Sequence, residues 1–206
     1  MTDSINHPGI TADEALQRLI DGNERFRRGI ARPPAPLKEV LANLAQGQKP
    51  YATILGCSDS RVPPEWIFDT GLGELFVIRV AGNVLSPEVA GSLQYAGSHL
   101  QTPLVVVLGH EGCGAVQAAL ETKYQNVQHR SRMQILVECL LPALPEFDSK
   151  ISPQERLAQA VESNVRWTVR KILESPEGQA RLKEGRIKLI GAVYEIESGR
   201  VRFLNS

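Results

Sequence analysis

Residues 104–114 read LVVVLGHEGCG: five apolar residues in unbroken succession, then a glycine, a histidine and a short glycine-rich cluster. A strand with one wet face alternates apolar and polar positions, so an uninterrupted run predicts a strand covered on both faces, as in a parallel sheet. Two similar runs precede it. Tyr51 to Gly56 ends at Cys57, and Glu74 to Arg79 (ELFVIR) follows a turn rich in glycine. A fourth run, Ile187 to Tyr194, leads through Glu197-Ser198-Gly199-Arg200 into Val201 to Leu204. That is the pattern of a hairpin placing an antiparallel strand at the sheet edge.

Helical signals fill the spaces between. Thr11 and Glu14 form a capping box, followed at helical spacing by Leu16, Leu19, Ile20, Asn23 and Phe26, with Gly29 closing the helix. Arg32-Pro33-Pro34-Ala35-Pro36 is a stiff connector. Leu37, Val40, Leu41, Leu44 and Ala45 make a short second helix ending at Gly47. Ser86-Pro87 opens a helix through Leu100, with serine as cap and proline at the first helical position. Met133, Leu136, Val137, Leu140 and Leu141 form a stripe before Pro142. Ser152 and Glu155 make a second capping box, leading into Leu157, Val161, Val165, Val169 and Ile172. The expected architecture is α/β: a mainly parallel central sheet with flanking helices and an antiparallel edge strand from a C-terminal hairpin. One domain spans 1–206, with 1–36 as an N-terminal helical arm and Pro-rich connector that reaches outward.

Bulk properties narrow the function. Lys plus Arg balance Asp plus Glu at 23 each, so no global field attracts nucleic acid or an anionic membrane, and neither is expected as a partner. No apolar run approaches the ~20 residues of a membrane helix. The start, MTDSINHPGI, lacks the basic-then-apolar signature of a secretory leader. Three cysteines cannot all pair, which suits a reducing compartment, so the expected location is cytoplasmic.

Chemistry concentrates at two strand ends. Cys57-Ser58-Asp59-Ser60-Arg61 follows the first strand, and Gly109-His110-Glu111-Gly112-Cys113-Gly114 follows the third. In open α/β sheets ligands bind outside the carboxyl ends of strands. If the two strands are neighbours, Cys57, His110 and Cys113 meet at one point. Two thiolates and an imidazole suit zinc, and three protein ligands leave the fourth position open for catalysis. Cys139, in a helical pattern with no metal-like neighbour, reads as an ordinary small residue, and His7, His99 and His129 as ordinary histidines. Gly71-Leu72-Gly73 precedes a strand and reads as a turn. Glu111 lacks the Pro-Cys-x-x-Cys partner of zinc deaminases. Arg166, Arg170 and Lys171 read as one solvated helix face.

The pairing of CSDSR with GHEGCG resembles the β-class carbonic anhydrases, over about Gly47 to Ala119 and again over the closing strands, Ile187 to Phe203. The resemblance implies one zinc ion per chain and a zinc-bound hydroxide that attacks carbon dioxide, giving bicarbonate and a proton. It implies that Asp59 accepts a hydrogen bond from the zinc-bound water or hydroxide and that Arg61 clamps Asp59 away from the metal. It also implies a substrate pocket of Gln48, Phe76, Ala81, Tyr95 and Gly114, often completed by the neighbouring subunit, in a dimer or a multiple of dimers. Ala81 stands where valine is usual, so that wall is roomier. Arg79, arginine in the family too, is expected near the site or a subunit contact. Some relatives bind bicarbonate at a second site that needs a tryptophan three residues before the first cysteine ligand, and this position is Ile54. Hydrolysis of carbonyl sulfide or carbon disulfide on the same scaffold is the alternative chemistry. A catalytically silent zinc protein or thiol sensor would be marked by loss of Asp59 or Arg61, and both are present.

Overall fold

A computed structural model of the protein describes residues 9–32, 37–148, 150–185 and 187–205. In chain order, α1 (Ala12–Arg27) and α2 (Leu37–Leu44) precede β1 (Ala52–Gly56), α3 (Pro64–Ile67) and β2 (Leu75–Arg79). Then come α4 (Pro87–Tyr95), β3 (Leu104–His110), α5 (Gly114–Gln125) and α6 (Ser131–Leu140). The chain closes with α7 (Pro153–Glu174), α8 (Pro176–Glu184), β4 (Lys188–Tyr194) and β5 (Val201–Phe203). His7 and residues 33–36 of the connector lie outside the described residues.

The five strands form one sheet in the order β2-β1-β3-β4-β5. The first four are parallel, and β5 pairs antiparallel with β4 at the edge, as the hairpin pattern predicts. Every residue of β1 and β3 is buried, which is why neither alternates. β2 differs from the sequence expectation. Its run is as apolar as the others, yet its residues are half-buried and Arg79 is exposed, because β2 is the outer strand of the sheet. β3 also runs two residues beyond the apolar run, since Gly109 and His110 stay in register with Val193 and Tyr194 of the equally long β4. That extension places His110 at the end of a rigid ladder.

Both capping boxes form as read, Thr11 with Glu14 and Ser152 with Glu155. Ser86 caps α4, whose last turn widens into a π-helical one over Ala96–Leu100. α5 and α8 were not anticipated. α5 starts directly after Cys113 and buries Val116, Ala118, Ala119 and Leu120. α8 has no buried residue to betray it in a periodic stripe, and its local signals are at its ends, the Ser175 cap before Pro176 and the left-handed Gly185.

The largest departure concerns α1. Its stripe does not reach outward but is seated on its own chain, burying Ala15, Leu19, Gly22 and Asn23. Full burial of Leu19 alone contributes about 2 kcal/mol. Asp13 pairs with Lys188 at 2.8 Å near one end, and the rings of Phe26 and Tyr194 lie 6.5 Å apart near the other. Gly22 permits the approach, because a Cβ there would stand 1.9 Å from the Phe68 carbonyl oxygen. α2, in contrast, has no fully buried residue: Leu37 is 62% exposed and Leu41 50%.

Candidate metal centre

β1 and β3 are neighbours, and both point their carboxyl ends the same way. β1 therefore delivers Cys57, β3 ends on His110, and the turn after it brings Cys113 to the N-cap of α5. The two sulfurs and a ring nitrogen of His110 lie within 4.8 Å of one another, all three side chains buried. Among the described residues this is the single such cluster of three His, Cys, Asp or Glu side chains.

The histidine is already oriented. Its Nδ1 lies 2.9 Å from the backbone carbonyl of Glu111, which can only accept, so Nδ1 carries the proton and Nε2 is left with its lone pair free. Nε2 is buried and has no hydrogen-bond partner. A buried, unpaired imidazole nitrogen is costly unless something absent from the protein atoms satisfies it, and a cation between two sulfurs does. The donor set of two soft sulfurs and one imidazole fits zinc.

The thiols are poised in the same sense. Cys57 is pushed toward the thiolate first by its contact with the Cys113 thiol and then by the backbone N–H groups of Gly82 and Asp59, against the opposing effect of burial. Gly82 N–H donates to Cys57 Sγ at 3.4 Å. Once Cys57 holds the negative charge, Cys113 is pushed upward by that neighbouring sulfur and by burial. A divalent cation bound here would hold both sulfurs as thiolates.

Asp59 and Arg61 meet as a fork. Arg61 Nε donates to Oδ1 at 2.9 Å and Nη2 to Oδ2 at 2.7 Å, while the Arg61 backbone N–H adds a third bond to Oδ1 at 3.0 Å. The Arg61 guanidinium holds the Asp59 carboxyl far below the usual carboxylate range, so it stays ionised. Asp59 Oδ2 stands 3.9 Å from His110 Nε2, on the edge of the cluster.

Two residues do more than their sequence signals suggested. Arg79 donates from Nε to the carbonyl of Cys57 at 2.8 Å and from Nη2 to the carbonyl of Asp59 at 2.5 Å, bracing the whole Cys57–Asp59 turn. Glu111 turns its carboxylate away from the cluster to accept the Ile196 N–H at 3.0 Å, and its own N–H donates to the Tyr194 carbonyl. It serves His110 through its main chain, which no side-chain motif reveals.

Of the expected pocket residues, Ala81 precedes Gly82 in the turn beside Cys57, and Gly114 follows Cys113 directly. Gln48, Phe76 and Tyr95 are not brought to the cluster of their own chain. Phe76 pairs with Thr53, four residues before Cys57 and so roughly 13 Å up the strand. Tyr95 packs near Phe76, ring centroids 6.0 Å apart, and stacks on His99 at 4.9 Å. Gln48 lies exposed ahead of β1. Cys139 is exposed on α6, away from the cluster. No helix among the described residues is long and apolar enough to cross a membrane.

Comparison with known proteins points one way. The sequence profile of the family described as carbonic anhydrase matches residues 52–201. The chain is 37% identical over 194 residues to carbonic anhydrase 2 of Mycobacterium tuberculosis, covering 94% of this chain and 93% of that one. Its fold is similar to that of the β-carbonic anhydrase CcaA, with a TM-score of 0.73 at 28% identity over 92% of this chain and 95% of that one. A tetrameric β-carbonic anhydrase of Sordaria macrospora superposes with a TM-score of 0.73 at 25% identity, covering 82% of this chain and 87% of that one.

Proposed function

The chain belongs to the β-class carbonic anhydrases, and we propose that it hydrates carbon dioxide reversibly with one zinc ion held by Cys57, His110 and Cys113. The observation that carries the metal assignment is the buried, partnerless Nε2 of a histidine clustered with two buried sulfurs. Bound zinc supplies a Lewis acid that makes water acidic enough to act as a nucleophile near neutral pH.

The protein's own groups do the rest. Cys57 and Cys113, as thiolates, balance the formal charge of the cation, and Glu111 fixes the His110 tautomer that can ligate it. Asp59, kept ionised by Arg61, presents Oδ2 beside the ligand set. From there it accepts a hydrogen bond from the attacking water and turns a lone pair toward the substrate carbon. The fork with Arg61 keeps that carboxylate from occupying the open position itself. Arg79 holds the Cys57–Asp59 backbone so that ligand and carboxylate keep a fixed spacing. Ala81 and Gly114 border the substrate on this chain. Gln48, Phe76 and Tyr95 serve the site of a neighbouring subunit, in a dimer or multiple of dimers. The tetrameric Sordaria macrospora relative supports that reading. Three unpaired thiols suit a reducing cytoplasm.

Metal analysis paired with stopped-flow hydration tests this reading. The purified protein should carry close to one zinc per chain and hydrate carbon dioxide, and Cys113→Ala should lose both. Undiminished zinc in Cys113→Ala overturns the ligand set, and preferential turnover of carbonyl sulfide or carbon disulfide reassigns the substrate.

A further inference from the structure

Asn164 lies on α7, buried along with its helix neighbours Val161, Val165 and Thr168. A primary amide in such a place must find a partner within the protein. Asn164 Nδ2 donates to the carbonyl of Gly82 at 2.9 Å, across 82 residues of sequence. Gly82 is the residue whose N–H donates to Cys57 Sγ. The two bonds grip the two peptide groups that flank the Gly82 Cα, and so fix the dihedral angles between them.

Those angles need fixing. Gly82 has φ +69° and Asn83 φ +45°, two left-handed residues in succession. A Cβ on Gly82 would also stand 3.1 Å from Leu140 Cδ1 and 3.2 Å from Ala115 Cβ. Glycine alone suits the turn, but glycine has the most freedom to leave it. The Asn83 N–H also donates to the Val80 carbonyl at 2.9 Å, closing the turn.

We propose that Asn164 is a positioning residue for the metal centre: by holding the Gly82 carbonyl it aims the Gly82 N–H at Cys57 Sγ and so sets how strongly that sulfur donates to the metal. A thiolate that accepts a hydrogen bond pushes less electron density onto its metal, which leaves the cation a stronger Lewis acid. The inference rests on the ligand set proposed above.

Cobalt(II) in place of zinc gives a readout apart from activity, because its thiolate-to-metal charge-transfer band reports sulfur donation directly. Asn164→Asp keeps the shape but presents an acceptor to the Gly82 carbonyl. It should move the band to longer wavelength, and at full zinc loading turnover should fall on the order of tenfold. Thr168→Val, one turn further along the same buried face, should leave the band where it is. An unmoved band in folded Asn164→Asp overturns the inference, with or without a loss of turnover. If that variant does not fold, Asn164→Ala is read in the same way. In the wild-type protein loaded with cadmium-113, scalar coupling between the Gly82 amide proton and the metal should be seen, and its absence also overturns the inference. Failure of the wild-type protein to bind cobalt or cadmium at all would instead reject the ligand set.

Discussion

Asn23 and Val201 lie 178 positions apart in sequence and are joined by a buried bond, the Val201 N–H donating to Asn23 Oδ1 at 2.9 Å. The same side chain donates to the Gly199 carbonyl at 2.9 Å and to the Ile67 carbonyl at 3.1 Å. One amide thus fastens α1 to both α3 and the β4–β5 hairpin. The hairpin in turn holds Glu111 through the Ile196 N–H, and Glu111 orients His110.

Removing that amide should be costly. Asn23→Ala strands three main-chain groups, and each buried group left unpaired costs about 1–3 kcal/mol. We expect a loss of about 3 kcal/mol in urea unfolding. A loss smaller than that of an ordinary surface substitution would show that α1 is held by its apolar contacts alone.

Asn23 also shows how far the sequence could be read. It appeared within the apolar stripe of α1, at the right spacing but of the wrong chemical type, and only the fold explains why an amide belongs there. What repeats along the chain was legible: apolar runs, capping boxes and the turn before β5. The clustering of Cys57, His110 and Cys113 was legible too, because each motif sits at the end of a strand and the parallel sheet aligns those ends. Main-chain geometry left no trace in residue types. The Gly82 N–H on Cys57, the Arg79 bonds to two carbonyls and the Glu111 carbonyl on His110 all depend on where backbone groups point. Edge position was equally invisible, since ELFVIR is as apolar as an interior strand.

The uncovered face of α2 carries an expectation about assembly. Leu37 and Leu41 are exposed on a helix that has no fully buried residue, and amphipathic helices seek a partner for such a face. Sedimentation should find a dimer or a multiple of dimers. Leu41→Glu should shift the distribution toward smaller species and lower activity, as Gln48 or Tyr95 leaves a neighbour's site. A fully active monomer at assay concentration would refute the shared pocket.

Inhibition by bicarbonate should be simple. The second bicarbonate site of some relatives needs an indole where this chain has Ile54. That side chain is fully buried in β1, in register with Val77 and Val106, and offers no donor. Activity near neutral pH should therefore decline hyperbolically as bicarbonate rises. A sigmoidal decline would mean that another group supplies the missing donor.

The final expectation concerns the fork between Asp59 and Arg61. Asp59 Oδ2 lies 3.9 Å from His110 Nε2, so a metal held by that histidine would come within reach of the carboxylate if Arg61 released it. No strand or helix has to move, and a difference on the order of 1–3 kcal/mol decides which arrangement prevails. Both contacts from Arg61 hold the carboxylate on the arginine. Arg61→Ala removes them without touching Cys57, His110 or Cys113. The Asp59 carboxyl then returns toward its ordinary range but remains ionised at neutral pH, so any loss of activity there reflects where the carboxylate goes and not its protonation. We expect turnover to fall on the order of tenfold while zinc content stays near one per chain. Wild-type turnover in Arg61→Ala would mean that Asp59 is kept off the metal by the Arg61 backbone N–H and the Arg79-braced turn, with the guanidinium fork dispensable.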